Sequence, residues 1–430
     1  MKGNFQIIIL VIFIAFAIFS VFVFSGAIPI GEEENTATGT VVLWGTVKSS
    51  IMSSLLEDFN EANPTFVLKY VQKSADTFDN DLLEALAEGN GPDLFFISDD
   101  LAFKYRNKIY PISYQNLTID SFKTNFVSVS EVFLTTDGIL AFPLTIDPMM
   151  MYYNRSILDA NGIVSPPTYW EELIDLVPVL TKKDEESKLL KSAVAMGQFS
   201  NISHAKDILT TLFMQTGSSI VAEEEGGTFV SVLKDNISKY KLNSVLEFYT
   251  NFANPLNNLY SWNRSFPDSG DAFSAEDLAF YFGYASELQS LIKKNPNQDF
   301  LITSIPQIKN SNFKLTFGRV MGVAISSSSK NLNTAFTAAS LLAKSDFVSA
   351  LSTSLGIAPS RRDLFKTMPT DAYLPTFYTS ALFAKTWPDP STKDTDDIFK
   401  GMIEKVLSNS MDEEGAITDA NAKLNLLLRK

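Results

Sequence analysis

Between Val41 and Ile97 the chain changes its hydrophobic period four times, and that alternation restricts the fold more than any other feature. Val41-Val42-Leu43-Trp44-Gly45 is a short apolar run of the length of a buried strand. Ser49 or Ser50 can then cap a helix in which Ile51, Leu55 and Phe59 share one face with Met52 and Leu56. Asn63-Pro64 stops it, because proline cannot continue the helical hydrogen bonding. Phe66 to Gln72 alternates as a strand, Leu82, Leu83 and Leu86 mark a second helix closed at Gly89, and Pro92 to Ile97 reads as a third strand. Strand–helix–strand–helix–strand predicts a parallel α/β sheet. Ligands of such sheets gather just beyond the carboxyl ends of the strands. That rule places Trp44, Thr46, Ser98, Asp99 and Asp100 beside any cleft.

At 430 residues the chain is too long for one ordinary core and predicts two or three compact units. Its formal net charge of -14, without a basic patch, argues against a nucleic-acid partner. Zero cysteines exclude disulfides, thiol nucleophiles and thiolate metal sites, and also a lipid-modified cysteine as an anchor. The one histidine, His204, cannot form a multi-histidine metal site and reads as structural or solvated. Carboxylates are numerous enough that a glycosidase pair is not excluded by counting, but no motif marks its members. Gly89-Asn90-Gly91 lacks the lysine and spacing of a phosphate loop. No catalytic residue, metal ligand or cofactor is therefore expected.

The N-terminus predicts a membrane segment. Lys2 is the only charged residue before Glu32, and Ile7 to Phe24 is an apolar run of 18 residues interrupted only by Ser20. Signal cores run about 7–15 apolar residues and spanning helices about 17–25. Residues 1–27 therefore read as a transmembrane anchor with the body outside; the small-x-small sequence Ser25-Gly26-Ala27 keeps a cleaved signal peptide open. Residues 28–40, acidic from Glu32, form the linker.

Farther on, Ala141 to Leu158 carries one acid, Asp147, in a proline-bounded extended stretch that runs into an apolar strand, Met149 to Tyr153. A Pro166-Pro167 turn follows, and Thr168-x-x-Glu171 reads as a capping box opening a helix. In order and spacing this block resembles the interlobe crossing of the family 1 extracellular solute-binding proteins, the maltose-binding-protein-like receptors of ABC importers. Tyr153-Asn154 and Pro166-Pro167-Thr168-x-Trp170-Glu171-Glu172-Leu173 are the residues that carry the likeness. Similar blocks are the strand Val41–Gly45, Phe59 to Pro64, Gly89 to Ile97, Phe273 to Glu287, Gly318 to Ile325 and the loop Leu355 to Arg361. Glu276-Asp277 departs from the Gly-Lys that the family usually has there.

The resemblance spans residues 40 to 430 and implies an α/β, two-lobed periplasmic-binding-protein-like fold of type II with an interlobe cleft, preceded by the N-terminal transmembrane helix. The N-lobe would be 40–145 and 323–372, the C-lobe 147–322 and 373–430, with crossings at Pro143–Met149 and Phe317–Ile325. It implies a monomeric receptor at the cell surface or in the periplasm, which binds a carbohydrate, an oligosaccharide by preference, and delivers it to an ABC permease without catalysis. Trp44, Tyr284 and Trp387 would be stacking platforms, with Thr46, Asp99, Asp100, Asp147, Arg319 and Arg361 as polar partners. Asp147 falls where related receptors place an acid on sugar hydroxyls; Trp262 has no motif. For each aromatic the competing reading is core packing. Alternatives of other classes are a surface glycan-processing enzyme, a non-transport scaffold, and a ferric-iron receptor using Tyr152-Tyr153. Strand alternation sends those two rings to opposite faces, which favours packing over iron.

Overall fold

The computed structural model of the chain describes residues 37–429. The run Ile7–Phe24, and with it the anchor, lies outside the described residues; among these, no helix is long and apolar enough to cross a membrane.

The alternation read from the sequence forms the first sheet. Strand β1 (Gly39–Gly45) leads into helix α1 (Ser49–Ala62), strand β2 (Phe66–Gln72), helix α2 (Phe78–Glu88) and strand β3 (Leu94–Ser98). The three strands are parallel, with β1 in the middle. Helix α1 buries Met52, Leu56 and Phe59 against them. At the end of α2, Gly89 takes a φ of 73°, and its N–H bonds the helix's last carbonyls; that left-handed cap is open to glycine at no steric cost. Strand β3 passes directly into helix α3 (Asp99–Tyr105).

Strand β4 (Phe142–Asn154) is continuous through the proline-bounded stretch. Beyond it in the chain come helix α4 (Trp170–Leu180), strand β5 (Leu189–Val194), helix α5 (Ala205–Gln215), and strands β6 (Leu278–Tyr284), β7 (Phe300–Ser304) and β8 (Thr316–Ile325). The strand order is β2-β1-β3-β8-β4-β6-β5, with β7 also paired to β4. Within residues 184–191, Glu185 to Lys188, Leu190 and Lys191 are exposed, while Leu189 is buried and opens β5.

Burial along β4 and β8 divides this sheet between two cores. Phe142, Leu144 and Ile146 pack with Val41, Leu43 and Phe95, whereas Met149 to Tyr152 pack with Phe280, Phe282 and Leu209. On β8 the change falls between Phe317 and Val320. The two change-over points face each other, since the antiparallel register pairs Gly318 with Pro148 and Arg319 with Asp147. Two strands therefore cross between two lobes side by side. Helices Leu332–Leu342 and Ser345–Leu355 return to the first core, while α6 (Thr392–Leu407) and α7 (Glu413–Leu428) close the second.

The expected capping box lies one residue later. Helix α4 begins at Trp170, and Glu172 rather than Glu171 accepts the Thr168 and Tyr169 N–H groups, at 2.7 and 3.2 Å. The Trp170 indole stays inside, donating to Gln215 Oε1 at 2.7 Å.

Candidate ligand-binding cleft

A cleft of about 950 Å³ opens where β1 and β3 end and β8 begins its path through the first lobe. One wall is the N-lobe: Thr46, Phe78, Phe96, Asp100, Phe103 and Arg106. The other is the start of α6 in the C-lobe, Pro390 to Asp394, with Arg319 at the floor. It thus lies at the carboxyl ends of parallel strands, where α/β sheets leave their helices and loops free to line a site. Direct contacts cross it. Thr392 Oγ1 donates to Asp100 Oδ2 at 3.1 Å, and Phe103 meets Phe229 edge-on at 5.3 Å between ring centres.

Of the residues expected in the site, Thr46, Asp100 and Arg319 line this cleft. Arg319 lies over the Tyr284 ring at 4.4 Å and donates to Asp207 Oδ2 at 3.3 Å. Its side chain is 46% exposed, so guanidinium donors remain for a solute. Asp99 and Trp387 are lower down, in a small recess under Arg319, and both are buried. The Asp99 carboxylate is spent within the protein, accepting Val320 N–H at 3.0 Å and the Thr386 hydroxyl at 2.5 Å. Burial, reinforced by Asp100, pushes its pKa up to about 7.

Besides Asp99, five expected residues do not line the cleft. Trp44 is half-buried and carries Lys73 Nζ 3.7 Å above its ring. Tyr284 is buried, and its hydroxyl donates to Asp207 Oδ2 at 2.6 Å. Trp387, whose loop was expected to face the solute, packs on Phe399 at 6.2 Å in the C-lobe core. Arg361 bonds Asp363 at 2.9 Å and the Ala343 carbonyl at 3.2 Å, so it braces an N-lobe loop. Asp147 accepts the Ser286 N–H at 2.9 Å, opposite Arg319 at the crossing. Burial raises its pKa to about 6, against the lowering effect of Ser286 and Arg319. An acid at the crossing is thus a joint between β4 and the loop after β6.

Tyr152 and Tyr153 do not converge. Tyr152 is fully buried and donates to the Tyr284 carbonyl at 2.7 Å, so its phenol is unavailable to a metal. Trp262 is core as well, stacked on Phe266 at 4.5 Å. His204 Nε2 lies 2.7 Å from Glu287 Oε1. Burial would raise the Glu287 pKa, but the donors around it (His204, Tyr281 and the Tyr284 N–H) outweigh burial and hold it below its usual range.

Several wall residues had no signal in the reading above. Lys206 reaches from α5 to Asp389 and Asp396, both at 2.8 Å, and to Thr395 at 3.0 Å. Burial lowers the lysine pKa, yet the two carboxylates win and hold it raised. This clip sets the position of the first turn of α6. Phe103, Lys104 and Arg106 belong to the loop and helix that follow Asp100, and their spacing carried no motif. Ser391-x-x-Asp394 did carry one: Ser391 Oγ accepts the Asp394 N–H, a helix start at the cleft wall.

The chain belongs to the bacterial extracellular solute-binding proteins, whose family profile it matches over residues 54–376. Its fold is similar to that of a cyclo/maltodextrin-binding protein solved with maltotetraose, at 16% identity and a TM-score of 0.72 over 90% of this chain and 96% of that one. The cyclic α-maltosyl-1,6-maltose binding protein of Arthrobacter globiformis is similar at 13% identity and a TM-score of 0.74, over 91% and 99% of the two chains. An ABC transporter solute-binding protein of Thermotoga lettingae, bound to α-D-tagatose, is similar at 18% identity and a TM-score of 0.67, over 91% and 100%. At such identities the likeness is one of fold. No curated protein sequence matches the chain.

Proposed function

We propose that this protein is the carbohydrate receptor of an ABC importer. It captures an oligosaccharide in the interlobe cleft and hands it to a permease, as a monomer held at the outer face of the membrane by the segment Ile7–Phe24. The observation that carries the reading is the cleft itself: about 950 Å³, walled by both lobes, with hydroxyls, charged groups and aromatic rings side by side. Aromatic faces suit the C–H patches of a sugar, and polar side chains suit its hydroxyls. Side-by-side crossing strands, paired through Arg319 and Asp147, allow the lobes to close about one axis. A solute touching both walls would favour the closed arrangement by its differential affinity for it.

The lobes are proposed as 40–145 with 323–372 and 147–322 with 373–430; the change of core on β8 falls slightly earlier, between Phe317 and Val320, and Tyr378, Ala381 and Ala384 pack with the first core. The glycan-processing alternative gains no support from the cleft, whose acids Asp79, Asp100 and Asp394 are each engaged by neighbouring donors.

Thermal melts of the full-length protein with a panel of oligosaccharides test the proposal. A cognate solute at 100 times its Kd stabilises by about 2.7 kcal/mol, and should bind saturably without yielding product. Scattering in solution should show a smaller radius of gyration at saturation. Product formation would establish an enzyme instead, and silence across the whole panel would remove the carbohydrate class.

A further inference from the structure

The acids and bases of the cleft are not equally occupied. Asp79 receives Lys104 Nζ through both oxygens, at 2.7 and 2.6 Å, and also the Tyr105 hydroxyl at 2.8 Å. Asp100 receives the Ser98 and Thr392 hydroxyls, and Asp394 receives the Ser391 hydroxyl at 2.9 Å. Every acid of the lining is therefore answered by a donor of the protein itself.

Two cations of the same lining are not. The Arg106 guanidinium carbon stands over Phe103, 3.8 Å from the ring centre, and has no ion pair among the described residues. Its Nη1 is buried with no hydrogen-bond partner. Lys393, on the opposite wall at the first turn of α6, is exposed and likewise has neither an ion pair nor a hydrogen bond among the described residues. A buried donor left unpaired costs free energy, and a guanidinium costs more than a neutral group. Burial accordingly lowers the Arg106 pKa, although arginine stays charged in water-exposed proteins. In a chain of net charge -14, two unanswered cations facing one cleft stand against the overall sign.

Resting on the carbohydrate reading above, we propose that the solute carries a carboxylate, as an oligosaccharide built from uronic acids does, and that Arg106 receives it with Lys393 supplying a second positive charge from the other lobe. The planar guanidinium fork matches a carboxylate in two parallel hydrogen bonds, and Phe103 holds it from one side. Phe78 and Phe96, on the same wall, are buried in the N-lobe core and present only their edges to the cleft. The carboxylate closes the cleft as well as filling it, because its two cations come from different lobes.

The test is calorimetric titration of the full-length protein with trimers of galacturonate, mannuronate and guluronate. Each is compared with its fully methyl-esterified form, which keeps the shape and removes the charge, and with neutral maltotriose and mannobiose. At least one acidic trimer should bind about 10- to 150-fold more tightly than its ester, the range of a charge-assisted hydrogen bond. Arg106→Gln should erase most of that ratio and Lys393→Gln part of it, and added salt should shrink it. Melting curves of the unliganded variants serve as a fold control; loss of an unpaired buried cation should not lower them. Acid and ester binding alike, or neutral sugars binding while acidic ones do not, overturns this inference and leaves the carbohydrate reading standing. Failure of every saccharide overturns both.

Discussion

Replacing Lys206 by methionine separates the stability of the C-lobe from the chemistry of the cleft. The lysine side chain is 7% exposed, as is that of Asp389, whereas Asp396 is 44% exposed. Loss of the ammonium leaves Asp396 free to turn to water, but Asp389 is held inside with only the Thr395 hydroxyl at 2.9 Å and the Ser391 N–H at 3.0 Å. Breaking a buried pair in this way costs about 3–5 kcal/mol, because a charge remains without its partner. With a guanidinium m-value of roughly 4 kcal/mol/M, the unfolding midpoint should fall by about 0.8–1.2 M. The cost should shrink in acid, where Asp389 can take up a proton. The double variant Lys206→Met with Asp389→Asn removes both charges and keeps an acceptor for Ser391; it should recover at least half of the loss. Since Lys206 also bonds the Thr392 carbonyl at 3.3 Å, the single variant should loosen the first turn of α6 and weaken solute binding. A single variant within about 1 kcal/mol of the parent, or a double variant as unstable as the sum of its parts, would refute the reasoning.

Two further outcomes are expected. The Asp147 carboxyl has its pKa raised to about 6, above an ordinary aspartate near 3.9, so the folded state keeps that proton longer than the unfolded chain does. The stability linked to it is full below about pH 4 and is lost as pH rises through about 6. Asp147→Asn keeps an oxygen for the Ser286 N–H and removes the titration, so its melting temperature relative to the parent should climb between pH 4 and pH 7; parallel profiles would exclude the shift. For the N-terminus, membranes washed with carbonate should retain the full-length protein with its first residues intact. A soluble form starting near Ile28 would instead mark a cleaved signal.

Much of the N-lobe was legible because its information is local. The apolar period over Val41–Gly45, Ile51–Phe59 and Phe66–Gln72 is set by geometry within each element, and proline and glycine mark the ends. From those elements the carboxyl-end rule leads to Thr46 and Asp100, and the ordered family blocks lead to Arg319. Tertiary structure decided what each side chain does there. Asp99 and Asp100 are neighbours at a helix start, yet one is buried under Val320 and Thr386 and the other lines the cleft. Trp387 and Tyr284 are aromatic residues in loops and strand ends that could face either way, and packing against Phe399 and Asp207 turned them inward. Lys206 and Asp389 are 183 residues apart, so nothing in the local sequence couples them. Arg106 is one more surface-type cation by composition; only the approach of Phe103 and the cleft wall buries its Nη1 without a partner. Periodicity specifies which face of an element is apolar, because that face must be buried against something. Which polar group meets which across two lobes depends on the positions of both backbones, and those are settled only when the cores pack.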